Sequence, residues 1–244
     1  VDAVIDKAIA EDRIVGTVVL IAQDGRLVYE RAAGMADKDS RKPMQVDALF
    51  RLSSVSKPIA TVAALALVDR KKLSLDDPVT KWLPDFKPKL ADGTTPTITV
   101  RQLLTHTAGL GYKFAEKPDG PYHKAQISDG FDDLKIGLAE EMRRLASVTL
   151  LKAPESQWRY SLSIDVLGAV IERAADQPLG AAVAELVTKP LGMTGTSFWV
   201  DPARADALGE GTPPRARRGA GPRGRRHRGR RRAGDRRRRD HLAA

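Results

Sequence analysis

The chain has 244 residues, no cysteine and a formal net charge of +10. That excludes disulfides and thiolate metal centres and leaves room for one large domain or two small ones. The charge is not spread: residues 204–244 hold 15 arginines, no lysine and 4 acids, a net +11, while residues 1–203 carry −1.

In chain order, Val1, Val4, Ile5, Ala8 and Ile9 share one face, so 1–14 is predicted to be an amphipathic helix. The start at Val1 rather than Met implies that the natural N-terminus lies upstream, which leaves the compartment open. Residues 15–37 read as a hairpin turning at Asp24-Gly25, where glycine tolerates positive φ. Its first strand, "TVVLIA", is apolar on both faces and is expected to be covered on both. The run 59–69 is almost wholly apolar and predicts a fully buried central helix. Turn residues break 73–86 into short pieces, and 97–110 predicts a short helix capped by Thr99 and ended by Gly109. Residues 112–130, rich in Gly, Pro, Asp and Lys, are expected to form a surface loop. Helices are predicted over 132–146, over 163–176 with Ser163 as cap, and over 178–188 before Pro190 and Gly192. No run of about 18 apolar residues occurs, so no membrane span is expected.

The organisation that results is a helix and first sheet hairpin over 1–53, a mostly helical region over 54–203, and an arginine-rich tail over 204–244. Two strands alone are marginal, so the sheet needs further strands, and the tail cannot supply them. Clustered arginines in the tail would suit a nucleic-acid arm. Against that, it has no aromatic residue to stack on bases and begins abruptly near Gly209–Pro214. It is built mainly of Arg, Gly, Ala and Pro, whose codons are GC-rich, as a shifted reading frame would produce. The second reading is preferred, so nucleic acid is not expected as a partner, and the tail is expected to be disordered.

The chain contains one S-x-x-K, Ser54-Val55-Ser56-Lys57. On a helix, positions three apart share a face, so the lysine amine can reach the serine hydroxyl. Pro58 suits the first turn, and a serine there has a free backbone N–H to offer an anion. One element thus supplies a nucleophile, a base and half an oxyanion hole. The helix dipole and the apolar run behind Lys57 are expected to push it toward the neutral amine that a general base needs.

The stretch "FRLSSVSKPIATVAALALVDRKKLSLDDPVTKWLPDF", followed by "ITVRQLLTHTAGL" and "WRYSLSIDVLGAVIERAADQPLGAAVAELVTKPLGMTGTSF", resembles the serine β-lactamase-like family. That family includes class C β-lactamases, D-alanyl-D-alanine peptidases and family VIII carboxylesterases. The resemblance covers about residues 1–203. It implies an α+β, β-lactamase/transpeptidase-like fold: an antiparallel sheet with flanking helices plus a mostly helical domain, with the late strands missing from this chain.

The resemblance also implies a serine hydrolase working through an acyl-enzyme, with Ser54 and Lys57 as its first motif. Tyr160, in Tyr160-Ser161-Leu162, takes the place of the family's second-motif tyrosine, a phenol that titrates together with the lysine. Leu162 stands where class C enzymes carry a substrate-contacting asparagine, which makes it a candidate substrate-binding residue and points to the esterase branch rather than to β-lactamase or peptidase. Glu155 departs from the Pro-Gly that often precedes this motif. Tyr112 lies where loop aromatics line the family's pocket. The third motif, Lys-Thr-Gly, does not occur; it normally brings a second oxyanion donor, so an inactive chain is the alternative reading. The implied partner is a small-molecule ester or amide, with no cofactor.

Other signals are weaker. His106 lies in a turn of the family resemblance, His123 has no patterned partner, and no G-x-S-x-G elbow is present. No H-E-x-x-H or clustered ligands suggest a metal, and "GEGTPP" lacks phosphate-loop spacing.

Overall fold

A computed structural model describes residues 1–202 and 204, apart from 133 and 135. The expectations for the arginine tail therefore lie outside the described residues. Those residues belong to one compact unit, Val1–Gly209.

Helix α1 (Asp2–Ala10) buries Ile5 and Ala8, while Val1 and Val4 stay exposed, so its apolar face is narrower than the spacing predicted. It is tied to the sheet by charge. Arg31 reaches Asp2 at 2.8 Å and Asp6 at 2.5 Å, and the Tyr29 hydroxyl also donates to Asp2. Strands β1 (Gly16–Gln23) and β2 (Arg26–Asp37) form the expected antiparallel hairpin, and β3 (Lys42–Pro43) adds to β2, giving the order β1-β2-β3. Asp24 and Gly25 both have positive φ, 51° and 73°, as the two-residue turn requires.

The expected two-sided cover of β1 is not found. Leu20 is 57 % exposed and Ile21 38 %, and across the hairpin Leu27 and Val28 are 55 % and 57 % exposed. Among the described residues the sheet has three strands, and α1 is the helix that packs on it, through β2. That is a single partial layer, where burial on both faces needs two.

The core lies in the helical part. Helix α2 (Ser56–Asp69) follows a 3₁₀ turn over Ser53–Val55 and presents Ala60, Ala63, Ala64 and Leu67 inward. Three alanines on that face let α6 (Ser163–Ala175) approach closely. The prediction of a fully buried α2 fails on its other side, where Val62 and Leu65 are each 45 % exposed. Helix α3 (Val100–Leu104) opens on a reciprocal capping box between Thr99 and Gln102. It ends at Thr105 and His106 (φ 55°) rather than at Gly109. Gly109 (φ 83°) instead passes so close to the Lys152 carbonyl oxygen that a Cβ there would collide with it.

Residues 112–130 are more than a surface loop. Helix α4 (Pro121–Lys124) seats Tyr122 in the core with its hydroxyl accepting the Gly111 N–H at 2.8 Å, and Ile127 is fully buried. Helix α5 (Leu138–Ala146) starts six residues later than predicted. The Asp132 carboxylate is occupied by Ser128 at 2.8 Å and by Lys113. In α6 every residue from Ser163 to Ile171 is buried except Asp165. Ser163 is its first helical residue and not a cap; its Oγ meets that of Ser161 at 2.8 Å. Helix α7 (Leu179–Val183) continues as a π-helical turn, Ala184–Thr188, close to the predicted span.

Candidate active site

The turn that carries Ser54 is built from strain and continuity. Ser53 adopts a left-handed backbone (φ 45°), unusual for a residue with a side chain, and the chain runs straight on through the 3₁₀ turn into α2. The first bond of that turn is from the Val55 N–H to the Leu52 carbonyl at 2.9 Å. The Ser54 N–H precedes that bond, so the turn itself gives it no helical acceptor. Pro58 falls in the first turn of α2, where its missing N–H costs nothing.

Lys57 Nζ donates to Ser54 Oγ at 3.5 Å, the contact expected from the spacing of three. Around it stand two phenol rings: the ammonium lies 4.9 Å from the centroid of Tyr160 and 5.7 Å from that of Tyr112. The two rings are 5.6 Å apart, and Tyr112 stacks on Phe114 at 4.7 Å. Ser54, Lys57, Tyr112 and Tyr160 all line one cavity of about 320 Å³, a volume that suits a small organic substrate. A larger hollow of about 570 Å³, between Trp82 and Arg173, contains no serine, lysine or tyrosine.

The protonation pattern reverses one expectation. Lys57 is only half-buried, and its surroundings are aromatic and phenolic rather than aliphatic. Burial pulls its pKa down, but the phenol oxygens of Tyr160 and then Tyr112 outweigh that and hold it above the ordinary lysine value. The neutral amine predicted from dipole and burial is therefore not what this site favours. Tyr160 moves the other way: burial raises its pKa, yet Lys57 and Ser54 together bring it below the ordinary tyrosine value. Both shifts run toward a phenolate beside an ammonium, and the serine hydroxyl contacts both groups.

Leu162, the remaining candidate, is 1 % exposed in the core and absent from the cavity wall; its N–H donates to the Gly111 carbonyl at 3.2 Å. It anchors the segment after Tyr160 and does not face a substrate. This corrects the expectation that Leu162 faces the substrate. His106 lies against the Tyr160 ring with centroids 4.8 Å apart.

Two carboxylates of the cavity escaped sequence reasoning. Asp129 accepts the N–H groups of Lys113 (2.9 Å) and Phe114 (2.8 Å), which fixes the turn carrying the aromatic wall. Asp165 remains open to the cavity's water with protein on most sides, and that crowding pushes its carboxyl up to about 6 against the pull of Lys57. Asp165 sits one turn into the helix after Tyr160, a placement visible in the sequence. For Asp129 no sequence signal exists.

A family model described as Beta-lactamase matches residues 1–236. The chain belongs to the beta-lactamase family. Within it, the chain is 53 % identical over 197 residues to Esterase EstB of Burkholderia gladioli, covering 81 % of this chain and 50 % of that protein. It is 38 % identical over 199 residues to Protein Rv1367c of Mycobacterium tuberculosis, covering 76 % of this chain and 48 % of the other. Among solved structures, EstCE1, described as a hydrolase with promiscuous acyltransferase activity, superposes with a TM-score of 0.82 at 48 % identity. That match covers 85 % of this chain and 54 % of EstCE1. Simvastatin Synthase (LovD) of Aspergillus terreus superposes with a TM-score of 0.62 at 28 % identity, covering 78 % of this chain and 52 % of that one. The chain thus spans about half the length of the relatives it matches. The β-lactamase/transpeptidase-like fold, an antiparallel sheet with flanking helices, is that of this family.

Among the described residues no group of three or more His, Asp or Glu is placed to hold a metal ion, and no helix is long and apolar enough to cross a membrane.

Proposed function

We propose that the chain carries the nucleophile half of a serine carboxylesterase that works through an acyl-enzyme on small-molecule esters. The observation that carries this reading is the convergence of Ser54, Lys57 and Tyr160 in one cavity, with Lys57 3.5 Å from Ser54 Oγ. The 53 % identity to a protein named an esterase supports the choice of ester over β-lactam or peptide.

In this reading Ser54 Oγ attacks the ester carbon as its proton passes to the Tyr160 oxygen, which the Lys57 ammonium favours in its phenolate form. The Ser54 N–H stabilises the developing oxyanion. The phenol returns the proton to the departing alcohol. Water then attacks the acyl-enzyme, gives its proton to Tyr160, and Ser54 is released with that proton restored. Ser54 is exposed, so alcohol can leave and water can enter.

Intact-mass spectrometry after exposure to a fluorophosphonate tests the reading. One phosphonyl group is expected on the wild-type chain and none on Ser54→Ala. Equal labelling of both, or of neither, contradicts it.

A further inference from the structure

His106 brackets Tyr160. Its carbonyl oxygen accepts the Arg159 N–H at 2.8 Å, and its Nδ1 accepts the Ser161 N–H at 3.3 Å, so the residues on either side of Tyr160 are both fixed to one histidine. The imidazole also lies against the Tyr160 ring, and its Nδ1 is 3.5 Å from Ser161 Oγ, which meets Ser163 Oγ at the start of α6. On its other side the ring meets Trp158 edge-on at 6.4 Å. His106 itself holds a left-handed backbone (φ 55°), a conformation that asparagine tolerates best among residues with a side chain of similar reach.

We propose that His106 is the positioning residue for Tyr160, holding the phenol toward Lys57 and Ser54 through an imidazole that must be neutral. The inference rests on the reading of Tyr160 as the proton acceptor. The chemistry of the neutral requirement is direct. The Ser161 N–H needs an acceptor at Nδ1, which fixes the tautomer with its proton on Nε2. Protonation makes Nδ1 a donor facing another donor, and one side of the bracket opens. Burial first, and the Lys57 charge second, hold the imidazole below the ordinary histidine range, so the bracket is closed at neutral pH and opens on acidification. The charged or titratable groups around it are Lys57 on α2 and Tyr160 on the following segment. The Arg159 Nε lies close to Gly111.

The test reads Tyr160 directly, with ¹³C-labelled tyrosine followed by NMR as a function of pH in wild type, His106→Leu and His106→Asn. In wild type Tyr160 is expected to titrate below an ordinary tyrosine. His106→Leu removes the side-chain acceptor, and Tyr160 is expected to return to the ordinary value. His106→Asn, which offers an amide oxygen near the Nδ1 position, is expected to restore the lowered value. Phosphonylation of Ser54 adds a second readout. His106→Leu should slow it about 100-fold, the scale of a 1 Å misplacement. His106→Asn should rescue at least ten-fold of that loss and lack the acid-side step that wild type shows. An unchanged Tyr160 titration in His106→Leu, or an acid step that persists in His106→Asn, overturns the proposal. If His106→Leu fails to fold, the asparagine variant still decides through that step and its Tyr160 titration. Absence of labelling in wild type, with Tyr160 still responding to His106, would sink the esterase reading and leave the positioning role standing.

Discussion

Leu67, Leu103, Leu167 and Ile171 of the helical region are sealed from water, whereas Leu20, Leu27 and Val28 of the hairpin keep more than half their surface exposed. The residue types are alike; the layers are not. Around α2 and α6, helices pack on several sides and the alanine face of α2 allows close contact, so apolar spacing translates into burial. On the sheet, three strands and α1 leave apolar side chains without a facing layer among the described residues. The reacting groups lie on the boundary between these regimes. Lys57 is rooted in α2 and Tyr160 in the irregular segment leading into α6, while Ser54 sits on an exposed, strained turn in front of the core.

The sharpest way to break this contrast is to cut a cavity in the sealed side. Leu167→Ala removes a fully buried side chain and should lower unfolding free energy by about 2–5 kcal/mol in urea titration. A loss under about 1 kcal/mol would mean the core is looser than its burial indicates. Next in size, Tyr122→Phe strips the Gly111 N–H of its buried acceptor and should cost about 1–3 kcal/mol, read by the same titration. Thr99→Ala breaks one arm of the capping box on α3 and is expected to cost about 1 kcal/mol. On the hairpin, Leu27→Ser should shift stability by no more than about 0.5 kcal/mol, since that side chain is already mostly in water. A large loss there would show that the strand is covered after all.

How much of this was legible in the sequence follows the same division. Ser54 and Lys57 could be paired because three residues on one helical turn fix their separation locally, and the hairpin turn followed from Asp24-Gly25. Tyr160 and Tyr112 lie about fifty to a hundred positions from Ser54 in sequence, and their convergence came from the family resemblance rather than from spacing. The charge of Lys57 was misjudged because the dipole and the apolar run are local, while the phenols that decide it arrive from distant segments. Leu162 was misplaced because its position was taken from the family's asparagine, and an apolar side chain there is drawn into the core instead. Tyr122 and Ile127 were hidden in a stretch with loop composition, because single anchors in irregular backbone have no period to detect.

The account stands on Tyr160, not Lys57, taking the Ser54 proton, and the rate of phosphonylation against pH tests this most directly in wild type and Tyr160→Phe. The lowered Tyr160 value and the raised Lys57 value place the active window between them. The wild-type rate should climb to a plateau that begins below the ordinary tyrosine value of about 10 and fall only above the ordinary lysine value of about 10.4. Tyr160→Phe should be slower by about 10²–10⁴ across that window and lose the climb. A Tyr160→Phe chain that reacts at the wild-type rate with the same pH profile would contradict it and return the role of base to the lysine.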